Sequence, residues 1–174
     1  MKEKLTIEVG VIGNDGMVGI PVLLGDDVAF EESIVQMSGD AMRLSSRALK
    51  DELKNGQGTL LTHLLSYTRK HMKQVAQTAA CNRLHTIEQR LARWMLMCRD
   101  RMETDDLPLT QEFISNMLGT RREGVSTAAT VLQKNALIRY SRGRIRILDR
   151  VGLEDFACEC YRAVQENHRK PSRK

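Results

Sequence analysis

The sequence lacks any long hydrophobic run. No apolar stretch reaches the roughly 18 residues that a membrane-spanning helix needs. The first twenty residues carry Glu3, Glu8 and Asp15, whereas an export signal has a basic start followed by an apolar block. We therefore expect neither membrane insertion nor export.

Cysteine is scarce and is not paired in metal-binding spacing. The four cysteines, at positions 81, 98, 158 and 160, are too few for a disulfide-stapled secreted domain. None of them forms a CxxC pair of the kind that marks a zinc ribbon. These absences favour a reducing cytoplasm, and we expect no metal site and no cofactor.

Charge is present in both signs but is unevenly distributed. Residues 1–57 have a net charge of −4, residues 58–103 of +5 and residues 104–174 of +4. A basic second half behind an acidic start is typical of a polyanion-binding module joined to another segment, although a solvated basic face would look the same.

Residues 5–45 carry the pattern of short strands and turns. Leu5, Ile7, Val9 and Val11 alternate with polar or small residues, and glycines with Asn-Asp and Asp-Asp pairs mark tight turns after them. Three or four short strands cannot close a barrel. The segment is therefore predicted to be part of an antiparallel β structure that is incomplete by itself.

From Thr59 onward the apolar period becomes helical. One seam repeats at alternating spacings of four and three residues, as in helices that pack lengthwise against each other. A second stripe at Leu60, Leu64 and Tyr67 is predicted to cover the β segment, which leaves the helix apolar on two sides. An ordinary core helix within one subunit is the competing interpretation, but two apolar sides favour a dimer helix. The predicted dimer-interface residues are Leu61, Leu65, Thr68, Met72, Val75 and Ala79.

Two shorter helical patterns follow. Residues 86–102 place Ile87, Leu91, Trp94, Met95 and Cys98 on one face, which we interpret as core, while Arg90 and Arg93 fall elsewhere. After a break at residues 105–108, Thr110 is placed to cap a helix with Glu112 in its first turn.

The stretch GTRREGVSTAATVLQKNALI, residues 119–138, joins that helix to another through a glycine. Gly119 suits a left-handed helix end, and Thr120 with Glu123 has the spacing of a capping box. The apolar side of the new helix is Val125, Ala128, Ala129 and Leu132. Two short helices joined by a tight turn predict a helix-turn-helix.

The face opposite that apolar side is polar and predicts contact with DNA. The N-terminal end of such a second helix enters the major groove, where arginine can pair with guanine and glutamate can accept from cytosine. Glu123 has an alternative role as a capping residue. The helix residues predicted to contact DNA are Arg121, Arg122, Glu123, Ser126, Thr127 and Thr130.

The next residues, ALIRYSRGRIRILD, predict a two-stranded hairpin. Aliphatic residues alternate with arginines around a Ser-Arg-Gly turn. A hairpin with an arginine-bearing outer face can lie along a phosphate backbone and add affinity that is independent of base sequence. We expect Arg142 and Arg144 of this wing to contact DNA.

With these motifs in view, the chain resembles the Crp/Fnr superfamily of bacterial transcription regulators. The resemblance implies an α+β fold: a partial antiparallel β-roll in residues 1–57, a dimerisation helix in 58–83 and a winged helix-turn-helix in 84–174. The family's recognition helix opens with a base-reading Arg-Glu pair, which falls on Arg122 and Glu123. Thr127 stands where the family often has a further arginine, which implies a different operator.

The N-terminal segment departs from the family's sensors. Gly16-Met17 and Phe30-Glu31-Glu32 stand where cyclic-nucleotide binders have Gly-Glu and Arg-Ser/Thr-Ala, so acid occupies the place of the phosphate-binding cation. The N-terminal cysteine cluster of iron–sulfur sensors is missing as well. We therefore expect no cyclic-nucleotide binding, and relative to the family the sequence starts partway through the β-roll, as a truncated product or a shortened gene would.

No catalytic constellation can be assembled, so we do not expect an enzyme. His63, His71 and His85 are interpreted as solvated or hydrogen-bonded rather than as haem ligands. A C-terminal helix over residues 150–167 would place Cys158 and Cys160 awkwardly for a disulfide.

The functional prediction is a cytoplasmic, homodimeric DNA-binding regulator that reads a palindrome in double-stranded DNA. Its recognition helix starts near Thr120, and RNA polymerase is a candidate partner. The alternative is an adaptor that uses the same helices to bind protein without DNA.

Overall fold

The computed structural model describes residues 6–56 and 58–165 of the 174-residue chain. Its elements are a 3₁₀ helix at Ile20–Leu24, helices α1 (Ser46–Asn55), α2 (Thr59–Leu84) and α3 (Ile87–Met102), strand β1 (Asp106–Leu107), helices α4 (Gln111–Leu118) and α5 (Arg122–Lys134), strands β2 (Ile138–Ser141) and β3 (Arg144–Ile147), and helices α6 (Arg150–Phe156) and α7 (Cys160–Gln165). The chain divides into two compact units, residues 12–72 and residues 1–11 with 73–174.

Within residues 12–72, the strands predicted between residues 5 and 45 do not form. Apart from the 3₁₀ helix, residues 6–45 have no regular structure, and Leu5 lies outside the described residues. Phe30 is 86% exposed and Val35 is 84% exposed, because no neighbouring layer covers them in the described chain. A strand is stable only when a partner satisfies its backbone and a core covers its apolar face, so alternation without partners predicted strands wrongly.

In this first unit, helices α1 and α2 each contact the irregular N-terminal segment. The Tyr67 hydroxyl on α2 donates to the backbone oxygen of Met17 at 3.1 Å, so the stripe predicted to cover the N-terminal segment does contact it. Helix α1, which the sequence pattern did not predict, begins where the Ser45 side chain accepts from the amide of Ala48. Lys50 on α1 forms an ion pair with Asp27 at 2.7 Å.

Helix α2 was predicted at residues 58–83 and is found at Thr59–Leu84. The predicted interface seam is only partly exposed on it. Leu61, Leu65 and Met72 are 37%, 48% and 64% exposed, and Ala79 is exposed as well. Thr68 is buried and its hydroxyl donates to the Leu64 carbonyl, so it does not belong to the exposed stripe, and Val75 is half-buried.

Helix α3 is the centre of the second unit, which is the C-terminal domain. Nine consecutive residues, from position 90 to position 98, are buried. The predicted core residues Leu91, Trp94, Met95 and Cys98 are among them. Helices α4, α5, α6 and α7 and strand β1 all contact α3, so it is covered on every side.

Arg90 and Arg93 are buried too, which corrects their predicted placement away from the core. Each is retained inside by a hydrogen bond from its guanidinium. Arg90 donates to the carbonyl of Leu118, and Arg93 donates to the Thr78 hydroxyl at 2.8 Å. An amphipathic pattern identifies the apolar face, but it does not show that further elements cover the polar one.

The sheet is small and antiparallel, with strand order β1-β3-β2. The hairpin of β2 and β3 matches the prediction, with Ile138 opposite Ile147 and Ser141 opposite Arg144. Strand β1 was not predicted, because two residues are too short to show a period. It adds Leu107 opposite Ile145, and both side chains are fully buried.

The predicted C-terminal helix is interrupted. Helix α6 ends at Phe156, Ala157 is extended and α7 begins at Cys160, while residues 166 and 167 lie outside the described residues. Residues two apart on a helix point to different sides, so one helix could not bury both Cys158 and Cys160 against the same neighbour. The break buries both, at 4% and 1% exposure.

No helix within the described ranges combines the length and the apolar character needed to cross a bilayer.

We predict that Gly119→Ala destabilises the C-terminal domain by about 1–2 kcal/mol, because position 119 is left-handed with φ 58°. A Cβ there would also lie 2.6 Å from Cδ1 of Ile7. Gly39→Ala is the matched control, since nothing lies within 4 Å of a Cβ at Gly39. Urea unfolding measures both, and equal free energies for the two variants would contradict the assigned turn.

Candidate nucleic-acid interface

The helix-turn-helix consists of α4, a tight turn and α5. The Thr110 hydroxyl accepts from the Phe113 amide at 3.2 Å and caps α4, as predicted. Gly119 ends α4 in the left-handed conformation, and the Thr120 amide donates to the Ser115 carbonyl at 3.0 Å. These two caps fix where α4 begins and ends.

The start of α5 differs from the predicted capping box. Arg121, not Thr120, is the N-cap residue, it is extended, and no side chain caps the helix. The turn after Gly119 is one residue longer than the capping-box spacing assumed. Glu123 is consequently exposed, free of the capping role that was its alternative.

The turn is also held by hydrogen bonds from buried Arg90 and half-buried Glu8. Besides the Arg90 bond to the Leu118 carbonyl, the Glu8 amide donates to the Met117 carbonyl at 3.0 Å. The Glu8 carboxylate in turn accepts from the Trp94 indole at 3.0 Å. Bonds to a charged partner are stronger than neutral ones, so the turn is anchored to α3 through the chain segment at Glu8.

The structure places all of the predicted DNA-contact residues of α5 on the surface. Val125, Ala128, Ala129 and Leu132 are buried on the opposite side, as predicted. The Thr130 hydroxyl donates to the Ser126 carbonyl at 2.9 Å, which directs it back to the helix. The exposed residues are Arg121, Arg122, Glu123, Ser126, Thr127 and Thr130.

A cleft lies where the starts of α4 and α5 meet the wing. The Arg122 Nε donates to the Gln111 Oε1 at 3.5 Å, a long contact that leaves most of its guanidinium open. A Cβ on Gly143 would lie 3.4 Å from the Thr110 methyl, so the wing turn borders the cap of α4. The lining residues are Thr110, Gln111, Arg122, Tyr140, Ser141, Arg142 and Gly143.

The wing is a tight hairpin attached to α5. Arg142 and Gly143 form its turn with φ of 50° and 74°, the left-handed pair that a two-residue hairpin turn requires. The Gln133 side chain on α5 accepts from the Tyr140 amide at 2.9 Å. This bond links the wing and the helix into one element.

Tyr140 is half-buried and lines the cleft. Burial raises the pKa of its hydroxyl, while the nearby Arg122 opposes that rise. The hydroxyl therefore stays protonated at neutral pH and can donate or accept a hydrogen bond.

The wing and the start of α5 carry positive charge that the protein itself does not neutralise. Arg146 faces Asp106 at 3.8 Å across the sheet, in an exposed pair worth little. Within residues 6–56 and 58–165, no side-chain hydrogen bond or ion pair occupies Arg121, Arg139, Arg142 or Arg144. Such a surface can bind phosphates without first breaking internal bonds.

Of the seven residues that line this cleft, only Arg122 and Arg142 were predicted as contact residues. Gln111, Tyr140 and Ser141 lie beside Arg122 and Arg142, although they belong to α4 and β2. No helical or strand period groups them, because the cleft is made by separate elements. The one local signal was the position of Gln111 directly after the helix cap at Thr110.

Two helices joined by a glycine turn, with a basic hairpin bordering the second helix, define a winged helix-turn-helix domain. Residues 89–156 match the family of Crp-like helix-turn-helix domains. Over these residues the chain is similar to that family, and the predicted resemblance to Crp/Fnr regulators is confirmed.

Solved structures of Crp/Fnr regulators have the same fold. FixK2 from Bradyrhizobium japonicum superposes with a TM-score of 0.60 at 17% identity, covering 66% of this chain and 60% of that one. A Crp/Fnr-family transcriptional regulator from Thermus thermophilus gives 0.54 at 21% identity, covering 60% and 57%. A CRP-family regulator from the same organism gives 0.51 at 22%, covering 60% and 56%.

The chain spans little more than half the length of the structures it resembles. A comparison with curated proteins gave no significant match.

We predict that Thr110→Ala destabilises the domain by about 1 kcal/mol through loss of the α4 cap. Thr127→Ala, which removes the same hydroxyl from the exposed side of α5, should change the free energy of unfolding by less than about 0.5 kcal/mol. Thermal unfolding monitored by circular dichroism compares the two. A large loss with Thr127→Ala would mean that this side of α5 is engaged within the protein.

Proposed function

We propose that the protein is a transcription regulator of the Crp/Fnr type that binds double-stranded DNA as a dimer. The observation that carries this proposal is the open cleft between α5 and the wing. It is lined by Arg122, whose guanidinium makes one long contact to Gln111, and by Arg142, which has no side-chain partner in the described chain. A protein surface of this kind has a polyanion as its natural partner.

Helix α5 is proposed to read bases from the major groove. Arg122, at the first position of the helix, can donate to guanine O6 and N7, and Glu123 can accept from cytosine N4. Ser126 and Thr127 are short, so they allow the helix to approach the bases closely. The exposed first turn of α5 also presents the positive end of the helix dipole to phosphates.

The wing is proposed to contact the phosphate backbone beside the groove. Arg142 at the turn and Arg144 on β3 are exposed and carry no internal ion pair in the described chain. Contacts to phosphate add affinity without base preference and are released by salt. Base reading and backbone binding are thereby divided between α5 and the wing.

Dimerisation is proposed to use the exposed side of α2. Leu61, Leu65, Met72 and Ala79 leave apolar surface uncovered along this helix. A second copy of the helix related by a two-fold axis would cover it, and two reading helices would then face half-sites about one helical turn apart. The operator is accordingly a palindrome.

Cyclic nucleotides are not proposed as effectors. Phe30, Glu31 and Glu32 are all exposed. Two carboxylates would repel a cyclic phosphate at the position where a binding cation is needed. RNA polymerase is a candidate partner only because the proposed function is transcription regulation.

We predict that Arg122→Ala and Arg144→Ala weaken DNA binding in different ways. Arg122→Ala should cost about 1–3 kcal/mol at one base position and relax specificity there. Arg144→Ala should weaken all sequences alike and reduce the salt slope by about one. Arg162→Ala, a charge already paired with Asp155 at 3.0 Å, is the control and should leave both quantities unchanged.

The measurement is a fluorescence-anisotropy titration at two salt concentrations, on an operator first selected from random duplexes and on single-base variants of it. If the unaltered protein shows no salt-sensitive binding to any duplex, the adaptor function is favoured over DNA binding. Equal effects of all three alanine variants would contradict the assigned roles.

We predict that Met72→Glu weakens the dimer at least about tenfold, because burying an unpaired carboxylate costs on the order of a few kcal/mol. Met42→Glu is the control, since Met42 is fully exposed outside any helix. Sedimentation velocity across protein concentrations measures the association. An unchanged dissociation constant for Met72→Glu would place the interface elsewhere.

A further inference from the structure

Four metal-ligating side chains converge in the C-terminal domain, away from the cleft. Cys81 lies in the last turns of α2, His85 directly after that helix, Cys158 in the break between α6 and α7, and Cys160 at the start of α7. Their ligand atoms all lie within 4.8 Å of one another. The sequence had led us to expect no metal site.

The local backbone explains why these residues meet. Cys81 and His85 are four positions apart, so they face the same side, and the His85 amide donates to the Cys81 carbonyl at 3.1 Å. The extended residue Ala157 turns the chain so that Cys158 and Cys160 both point inward. The break that interrupts the predicted C-terminal helix therefore completes the cluster.

The spacing matches one tetrahedral ion. Zn–S bonds of about 2.3 Å and Zn–N bonds of about 2.0 Å place neighbouring ligand atoms about 3.5–3.8 Å apart. The Sγ atoms of Cys81 and Cys158 are 3.5 Å apart, and Cys160 Sγ lies 3.6 Å from His85 Nδ1. An iron–sulfur cluster holds several ions and sulfides between its ligands and needs a wider cage.

The side chains around the cluster orient its ligands. The Glu159 carboxylate lies 3.2 Å from His85 Nε2, which leaves Nδ1 to face the sulfurs, as a carboxylate commonly does for a metal-bound histidine. The Gln77 amide nitrogen donates to Cys160 Sγ at 3.0 Å. Glu159 and Gln77, which are outside the cluster, thus orient His85 and Cys160 within it.

A buried arginine supplies positive charge near the cluster. Arg93 is 4% exposed and its charge offsets negative charge on the ligands.

We propose that Cys81, His85, Cys158 and Cys160 bind one Zn²⁺ in a tetrahedral Cys₃His site. The ion cross-links the end of α2 to the segment between α6 and α7. Three thiolates and a neutral imidazole fill all four positions, so the site is closed and structural in kind. This assignment does not depend on DNA binding.

The test uses the full chain produced without a histidine tag. We expect about one zinc per chain by mass spectrometry of the metal. Replacement by Co²⁺ should give the visible bands of a tetrahedral site together with thiolate-to-cobalt charge transfer. Cys160→Ser should lower the zinc content severalfold and weaken the charge-transfer band, whereas Cys98→Ala, at a buried cysteine outside the cluster, should retain both.

Glu159→Gln provides a variant that leaves every ligand in place. Because Glu159 is exposed, the change should not prevent folding, and we expect zinc affinity to fall at least about tenfold in a chelator competition. An unchanged affinity would overturn the orienting role of Glu159. The zinc site itself would be overturned by a metal-free protein without a cobalt spectrum, by iron with inorganic sulfide, or by a Cys81–Cys158 disulfide.

Discussion

The burial of α3 on all sides is the constraint on which the rest of the C-terminal domain depends. Nine successive residues of one helix can be covered only if other elements surround it, and the helix-turn-helix, strand β1 and the last two helices do so. Two of the nine are arginines, which must find acceptors because an unpaired buried guanidinium is costly. Arg90 finds one at the end of α4, so the packing of α3 also fixes the turn that precedes α5.

Local signals predicted the C-terminal domain well. The cap at Thr110, the left-handed Gly119, the buried side of α5 and the β2–β3 hairpin all follow from spacing within a dozen residues. Features made by distant segments were not predictable in this way. Strand β1 is recognisable only from its pairing with β3, and Cys81 and Cys158 are brought together across 77 positions by the fold.

The N-terminal segment shows the opposite error. Alternation at Ile7, Val9 and Val11 predicted strands, yet these residues have no strand partner in the described chain. Alternation reports which side chains could share a face, whereas a sheet also needs neighbours to satisfy the backbone. Instead, the Glu8 amide and carboxylate contact the helix-turn-helix and Trp94. The period therefore predicted neither the secondary structure nor the buried side of this segment, since Ile7 and Val9 are exposed.

The bond from the Tyr140 amide to Gln133 holds helix α5 against the hairpin of β2 and β3. The spacing between α5 and the hairpin is therefore set by the protein. If a duplex engages both elements as proposed, it has to adapt its own groove width and bend, and that deformation costs less for flexible base steps than for stiff ones. Bases that no side chain touches would then contribute to discrimination through the mechanics of the duplex.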